Sequence, residues 1–142
     1  MPHPDPAAPG PRILVVAAAL YDPSGRVLIA RRPAGKHMAG RWEFPGGKVH
    51  PGESERAAVE RELHEELGIQ VGAARPCMRL THAYADREVE LSLWIIERFS
   101  GTPGAVEGQE LRWVALDALA AQDMLEADRP FIAALTRPPA SA

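Results

Sequence analysis

The chain has 142 residues, 46% hydrophobic and 25% charged, with a formal net charge of −3. That length suits one domain and leaves no room for two, and such a domain buries roughly two-thirds of the surface its unfolded chain exposes. The negative balance argues against broad binding to nucleic acid, which needs clustered Lys and Arg, and the single cysteine, Cys77, excludes an internal disulfide.

Residues 1–11 hold five of the fourteen prolines and lack the basic start and apolar core of a signal peptide, so they read as a flexible tail. The folded domain is expected over 12–136, with a second tail at 137–142. No apolar run reaches the length of a membrane span, and a cytoplasmic protein is the expectation. Residues 13–21 form an apolar strand, and Asp22-Pro23-Ser24-Gly25 is a turn signal. Residues 26–31 then read as the returning strand of a hairpin, followed by a loop over 33–40. A short stretch over 42–44 runs into Pro45-Gly46-Gly47, where a sharp turn is predicted. Helix follows over 54–67, with Ser54 as N-cap and Gly68 as the left-handed stop. Its apolar stripe is Val59, Leu63 and Leu67. Residues 78–84 and 88–99 predict two antiparallel strands around Asp86-Arg87. Residues 100–108 form a loop, 111–116 a further strand, and the remainder one short helix and one from about 129 to 136. Strands at both ends with a helix between suit an α+β fold.

The acids of the helix are chemically suggestive. At about 100° per residue, Glu62, Glu65 and Glu66 fall within an arc of roughly 100° on one face. Like charges at this spacing repel by a few tenths of a kcal/mol per pair. Such a cluster suits Mg²⁺, which prefers oxygen ligands and also binds substrate phosphates. Taken alone, three glutamates on a helix are better explained by a solvated acidic face with Arg61 as local partner.

The flanking residues change that balance. Gly47, Glu53, Arg61, Glu62, Glu65, Glu66 and Gly68, with aliphatic Leu63 and Ile69, fill every defined position of the Nudix box. By average residue frequencies a chance match is rarer than about one in a million. Ala30-Arg31-Arg32, His37-Met38, Glu43-Phe44-Pro45-Gly46-Gly47-Lys48, Ala85-Asp86-Arg87, Glu107-Gly108-Gln109 and Ala127-Asp128-Arg129-Pro130 resemble stretches of the MutT-type branch of that family. The resemblance spans residues 12–135 and implies the Nudix fold, a mixed β-sheet sandwiched between α-helices.

It also implies a reaction: Mg²⁺-dependent hydrolysis (with Mn²⁺ as a substitute) of a nucleoside triphosphate to monophosphate and pyrophosphate. The implied substrate is 8-oxo-dGTP and the implied role nucleotide-pool sanitation, a form of DNA repair. Glu62, Glu65 and Glu66 would ligate metal, joined by the Gly46 carbonyl and Glu107. Glu62 or Glu65 would serve as general base. Glu53 and Arg61 would join loop to helix and orient Glu62. Arg32, His37, Phe44, Tyr84, Arg87 and Asp128 would contact the nucleotide. The protein would act as a monomer or homodimer, with neither nucleic acid nor membrane as partner.

Two positions depart from the branch pattern. His50 stands where a glutamate is usual, which reads as a loop substitution. Asp128 replaces the asparagine that reads oxidised guanine, and ionised aspartate only accepts hydrogen bonds where asparagine also donates. A carboxylate occurs there in CTP-type pyrophosphohydrolases, so modified cytidine nucleotides are an alternative substrate class. Asp128 also suits the N-cap of the last helix. Other readings within the superfamily are a nucleotide-sugar, ADP-ribose or dinucleotide pyrophosphatase. A non-catalytic nucleotide-recognition module is the non-enzymatic alternative.

Overall fold

The computed structural model describes residues 12–36 and 38–136; both expected tails and His37 lie outside the described residues. The expected mixed sheet between helices is what forms. A four-stranded sheet runs β4 (Gly46–Lys48), β1 (Arg12–Leu20), β7 (Arg87–Ile96), β6 (Ala74–Tyr84). β1 and β7 are parallel, with Arg12 opposite Glu88 through Leu20 opposite Ile96, and the other pairs are antiparallel. A second, antiparallel sheet runs β3 (Trp42–Glu43), β2 (Val27–Arg31), β9 (Leu111–Val114).

Apolar residues on both faces of β1 explain this layering. Val16, Ala18 and Leu20 pack with Ala58, Val59, Leu63 and Leu67 of α1 (Glu55–Leu67). Ala17 and Ala19 point the other way, into a core shared with Phe131 and Ile132 of α2 (Arg129–Thr136). A strand covered on both faces needs apolar residues at every position, which is why this stretch reads as a run rather than an alternation. Among the described residues, no helix is long and apolar enough to cross a membrane.

Helix α1 has the predicted ends. Ser54 Oγ accepts from Ala57 N–H at 3.1 Å, and Gly68 stops the helix at φ 71°, its N–H bonded to the His64 carbonyl. Helix α2 also stands where expected.

Several expectations are corrected. Residues 26–31 do not return along β1 as a hairpin partner. Only one bridge, Tyr21 to Val27, links β1 to β2 among the described residues, because β4 and β7 occupy both edges of β1. At Pro45-Gly46-Gly47 the bend is completed by Pro45, and Gly46 and Gly47 continue as β4 along β1. β6 starts at Ala74 rather than residue 78, with a register shift between Pro76 and Met78. The strand over 88–99 ends at Ile96, and β8 (Phe99–Ser100) instead pairs with β5 (Gln70–Val71). β9 ends at Val114, and Leu116 opens a short 3₁₀ segment.

Candidate active site

The site is built where β4 crosses the acidic face of α1. A Cβ on Gly46, at φ 153°, would meet the Val16 carbonyl oxygen at 2.0 Å. A Cβ on Gly47 would meet the Glu62 carboxyl carbon at 2.5 Å. Only glycine lets backbone and carboxylate approach this closely. Gly46 N–H donates to Glu66 Oε2 at 3.1 Å. Glu62 and Glu66 are half-buried against this strand, while Glu65 is exposed.

Arg61 ties the preceding loop to the helix. Its Nε and Nη2 donate to the two Glu53 carboxylate oxygens at 2.8 and 2.9 Å, a bidentate pair. Nη2 also donates to the Lys48 carbonyl and Nη1 to Glu62 Oε1 at 2.8 Å, with Glu65 further off at 3.5 Å. His50 enters through its backbone, its N–H donating to Glu53 Oε1. The Arg61 hydrogen bonds and the His50 N–H hold the Glu53 carboxyl down at about 2.

Glu62 and Glu66 are pushed the other way. Burial, then the charges of Glu62, Glu43 and Glu107, raises Glu66 to about 8. Burial also raises Glu62, against the pull of Arg61. Glu107 is exposed, yet its charge reaches both Glu62 and Glu66. Among the described residues, no three His, Cys, Asp or Glu side chains stand ready to hold a metal ion. Glu62 is turned onto Arg61 and Glu66 onto the Gly46 N–H, as mutually repelling carboxylates take up local donors. The donor set nonetheless suits a hard divalent cation: it is all oxygen, and its negative charges destabilise one another.

Gly46 and Gly47 also line a cleft of about 340 Å³, running between the sheet and the segment that leads into α2. Five of the six residues expected to contact nucleotide, Arg32, Phe44, Tyr84, Arg87 and Asp128, line this cleft; the sixth, His37, lies outside the described residues. Leu91 is buried and also lines the cleft.

Asp128 is 4% exposed and accepts from the Phe44 N–H at 3.0 Å. It ends a 3₁₀ turn, Glu126–Asp128, that leads into α2, and its described hydrogen bond runs across the cleft rather than to the helix. Burial, with the Glu43 charge adding to it, raises its carboxyl to about 7. The Arg87 guanidinium stands 5.7 Å from the Tyr84 ring centre, and His82 meets that ring edge-on at 4.7 Å. Arg87 Nε is the one buried side-chain nitrogen or oxygen without a hydrogen-bond partner among the described residues.

Glu43 was missed by sequence reasoning. Both its oxygens accept from Arg32 Nη1, at 3.0 and 3.1 Å, and burial raises its carboxyl. It lines the cleft, and its charge is felt at both Glu66 and Asp128. A two-residue strand has too short an alternation to reveal which face a side chain takes. The one available signal was its place beside Phe44 in the Glu43–Lys48 stretch.

Known proteins resemble the chain in both sequence and overall fold. The model of the NUDIX domain matches residues 11–135. The chain is 37% identical over 126 residues to the 8-oxo-dGTP diphosphatase of Escherichia coli K12, covering 89% of this chain and 98% of that one. It is also 37% identical over 123 residues to the CTP pyrophosphohydrolase of the same organism, covering 87% and 91%. The crystal structure of a MutT NUDIX hydrolase from Burkholderia pseudomallei superposes with a TM-score of 0.81 at 34% identity, covering 89% of this chain and 99% of that one.

Proposed function

The chain belongs to the Nudix family of hydrolases, and from that membership we propose that it cleaves a nucleoside triphosphate into monophosphate and pyrophosphate, with 8-oxo-dGTP as substrate. The observation that carries this reading is the continuity of the site. One glycine pair, Gly46-Gly47, touches the Glu62 and Glu66 carboxylates and also lines a cleft sized for a base, between Phe44, Tyr84 and Asp128. A nucleotide with its base in the cleft lies with its phosphates toward the acidic helix.

Glu62, Glu65, Glu66, Glu107 and the Gly46 carbonyl would hold Mg²⁺, or Mn²⁺ in its place. When bound, the cation supplies Lewis-acid activation of water and neutralises phosphate charge. The chain's own residues do the rest. Arg61, locked by Glu53, orients Glu62; Glu62 or Glu65 takes the proton of the attacking water, and Arg32 and Arg87 bring positive charge to the nucleotide. In the cell this activity would cleanse the nucleotide pool of oxidised precursors, in the cytoplasm, with the enzyme a monomer or homodimer.

A second substrate class is favoured by Asp128 itself. Ionised, it only accepts, which suits the exocyclic amine of cytosine; protonated, as burial promotes, it also donates. The test is turnover of a panel of 8-oxo-dGTP, dGTP, CTP, dCTP, a methylated dCTP and ADP-ribose with Mg²⁺, with products separated by chromatography. Preference for 8-oxo-dGTP with release of pyrophosphate supports the first reading. Preference for cytidine nucleotides replaces the substrate and keeps the reaction, and cleavage of ADP-ribose alone would overturn both.

A further inference from the structure

The acid on the late loop differs from the helix acids in how it is held. Residues 105–108 are exposed, and no helix or strand carries Glu107. Such a carboxylate contributes to a cation site only if something holds its loop against α1. The C-terminal end of α1 offers the means, since the last carbonyls of a helix lack partners within it. Gly104 N–H donates to the Leu67 carbonyl at 3.0 Å and Val106 N–H to the Glu66 carbonyl at 3.3 Å. Both of these tethers precede Glu107.

We propose that Gln109 is the positioning residue for Glu107, its carboxamide fastening the Glu107 backbone to the end of the helix that carries Glu62, Glu65 and Glu66. Gln109 Oε1 accepts from the Glu107 N–H at 3.0 Å, and Gln109 Nε2 donates to the Glu66 carbonyl at 3.0 Å. Gln109 is half-buried while its neighbours Gly108 and Glu110 are exposed. One partner is a donor and the other an acceptor, so the amide orientation is set and only a carboxamide satisfies both. A glutamate at 109 would set an anionic oxygen against the Glu66 carbonyl. Beyond the tether the chain is anchored again, with Arg31 N–H on the Glu110 carbonyl and Arg31 Nη1 on the Glu110 carboxylate. Glu107 is thus bracketed, and among the described residues the Gln109 bond is the one that reaches its own backbone.

This inference rests on the reading of these acids as a cation site, and the experiment separates the two. Mn²⁺ binding to the free protein is followed by electron paramagnetic resonance for the unmodified chain, Gln109→Ala, Glu107→Gln and the double variant. Mg²⁺-dependent turnover and metal-free thermal unfolding are measured alongside. Gln109→Ala is expected to weaken Mn²⁺ binding roughly 10- to 100-fold, the usual effect of removing a partner behind a ligand. It should lower kcat more than it changes KM. The double variant should bind Mn²⁺ no more weakly than Glu107→Gln, because Gln109 acts through Glu107. Gln109→Glu, close in size but without the donor, serves as second variant and should behave the same way. Lost thermal stability with unchanged Mn²⁺ affinity would make Gln109 a helix cap alone and overturn the proposal, as would additive effects in the double variant. If the unmodified chain binds no Mn²⁺ and cleaves no nucleotide, the site reading itself fails and this inference falls with it.

Discussion

A methyl group at Gly47 would stand 2.5 Å from the Glu62 carboxyl carbon, closer than any carbon contact tolerates. Gly47→Ala must therefore drive Glu62 away from β4 and off Arg61. Turnover is expected to fall by roughly 10- to 100-fold, the scale for misdirecting a group at a metal site, and steady-state kinetics on the best substrate of the panel would check it. Asp128 gives a prediction in pH. Its folded carboxyl is raised to about 7 from an ordinary 3.8, so the folded chain binds the proton more tightly than the unfolded one. The sign follows: Asp128 costs nothing below pH 4, its cost grows as pH rises toward 7, and it is fully present above that. Asp128→Asn removes this titration while an amide oxygen still accepts from Phe44. The variant should gain thermal stability relative to the parent at pH 8 compared with pH 5, and an equal difference at both would refute the argument.

Helix α1 carries both the proposed metal-binding acids and four buried residues of the core, which couples stability to activity. Its legibility came from agreement among independent signals: a cap, a stop, and apolar residues every four positions. Ser54→Ala removes the bond to Ala57 N–H and should cost about 1 kcal/mol, read as a shift in urea midpoint with unchanged slope. Leu63 is fully buried between β1 and α1, and Leu63→Ala should cost roughly 2–5 kcal/mol. The short strands were less legible. β5 and β8 have two residues each, and β4 is built on two glycines with little intrinsic preference for extended structure. Their existence depends on neighbours far along the chain.

At the scale of the molecule, Glu62, Glu65, Glu66 and the Glu107 loop form one electrostatic unit whose charges oppose one another. A ligand that binds only the folded chain stabilises it by mass action, about 2.7 kcal/mol at a hundred times its dissociation constant. Mg²⁺ should therefore raise the melting temperature, Glu66→Gln should blunt that rise, and chelation should abolish turnover. A melting temperature indifferent to Mg²⁺ across the millimolar range would count against the cation site. The sequence by itself determined the helix, its caps, its acidic face and the spacing of the family's motif, because these depend on neighbours within a few turns of one element. It also pointed to Asp128 and Phe44 as cleft residues through resemblance alone. Only the tertiary structure decided that β1 pairs in parallel with β7, that Phe44 N–H meets Asp128 across 84 residues, that Glu43 lines the cleft, and that Gln109 bonds the Glu66 carbonyl. Those facts rest on contacts between segments distant in the chain, and no local periodicity or propensity encodes which distant backbone group a side chain will meet.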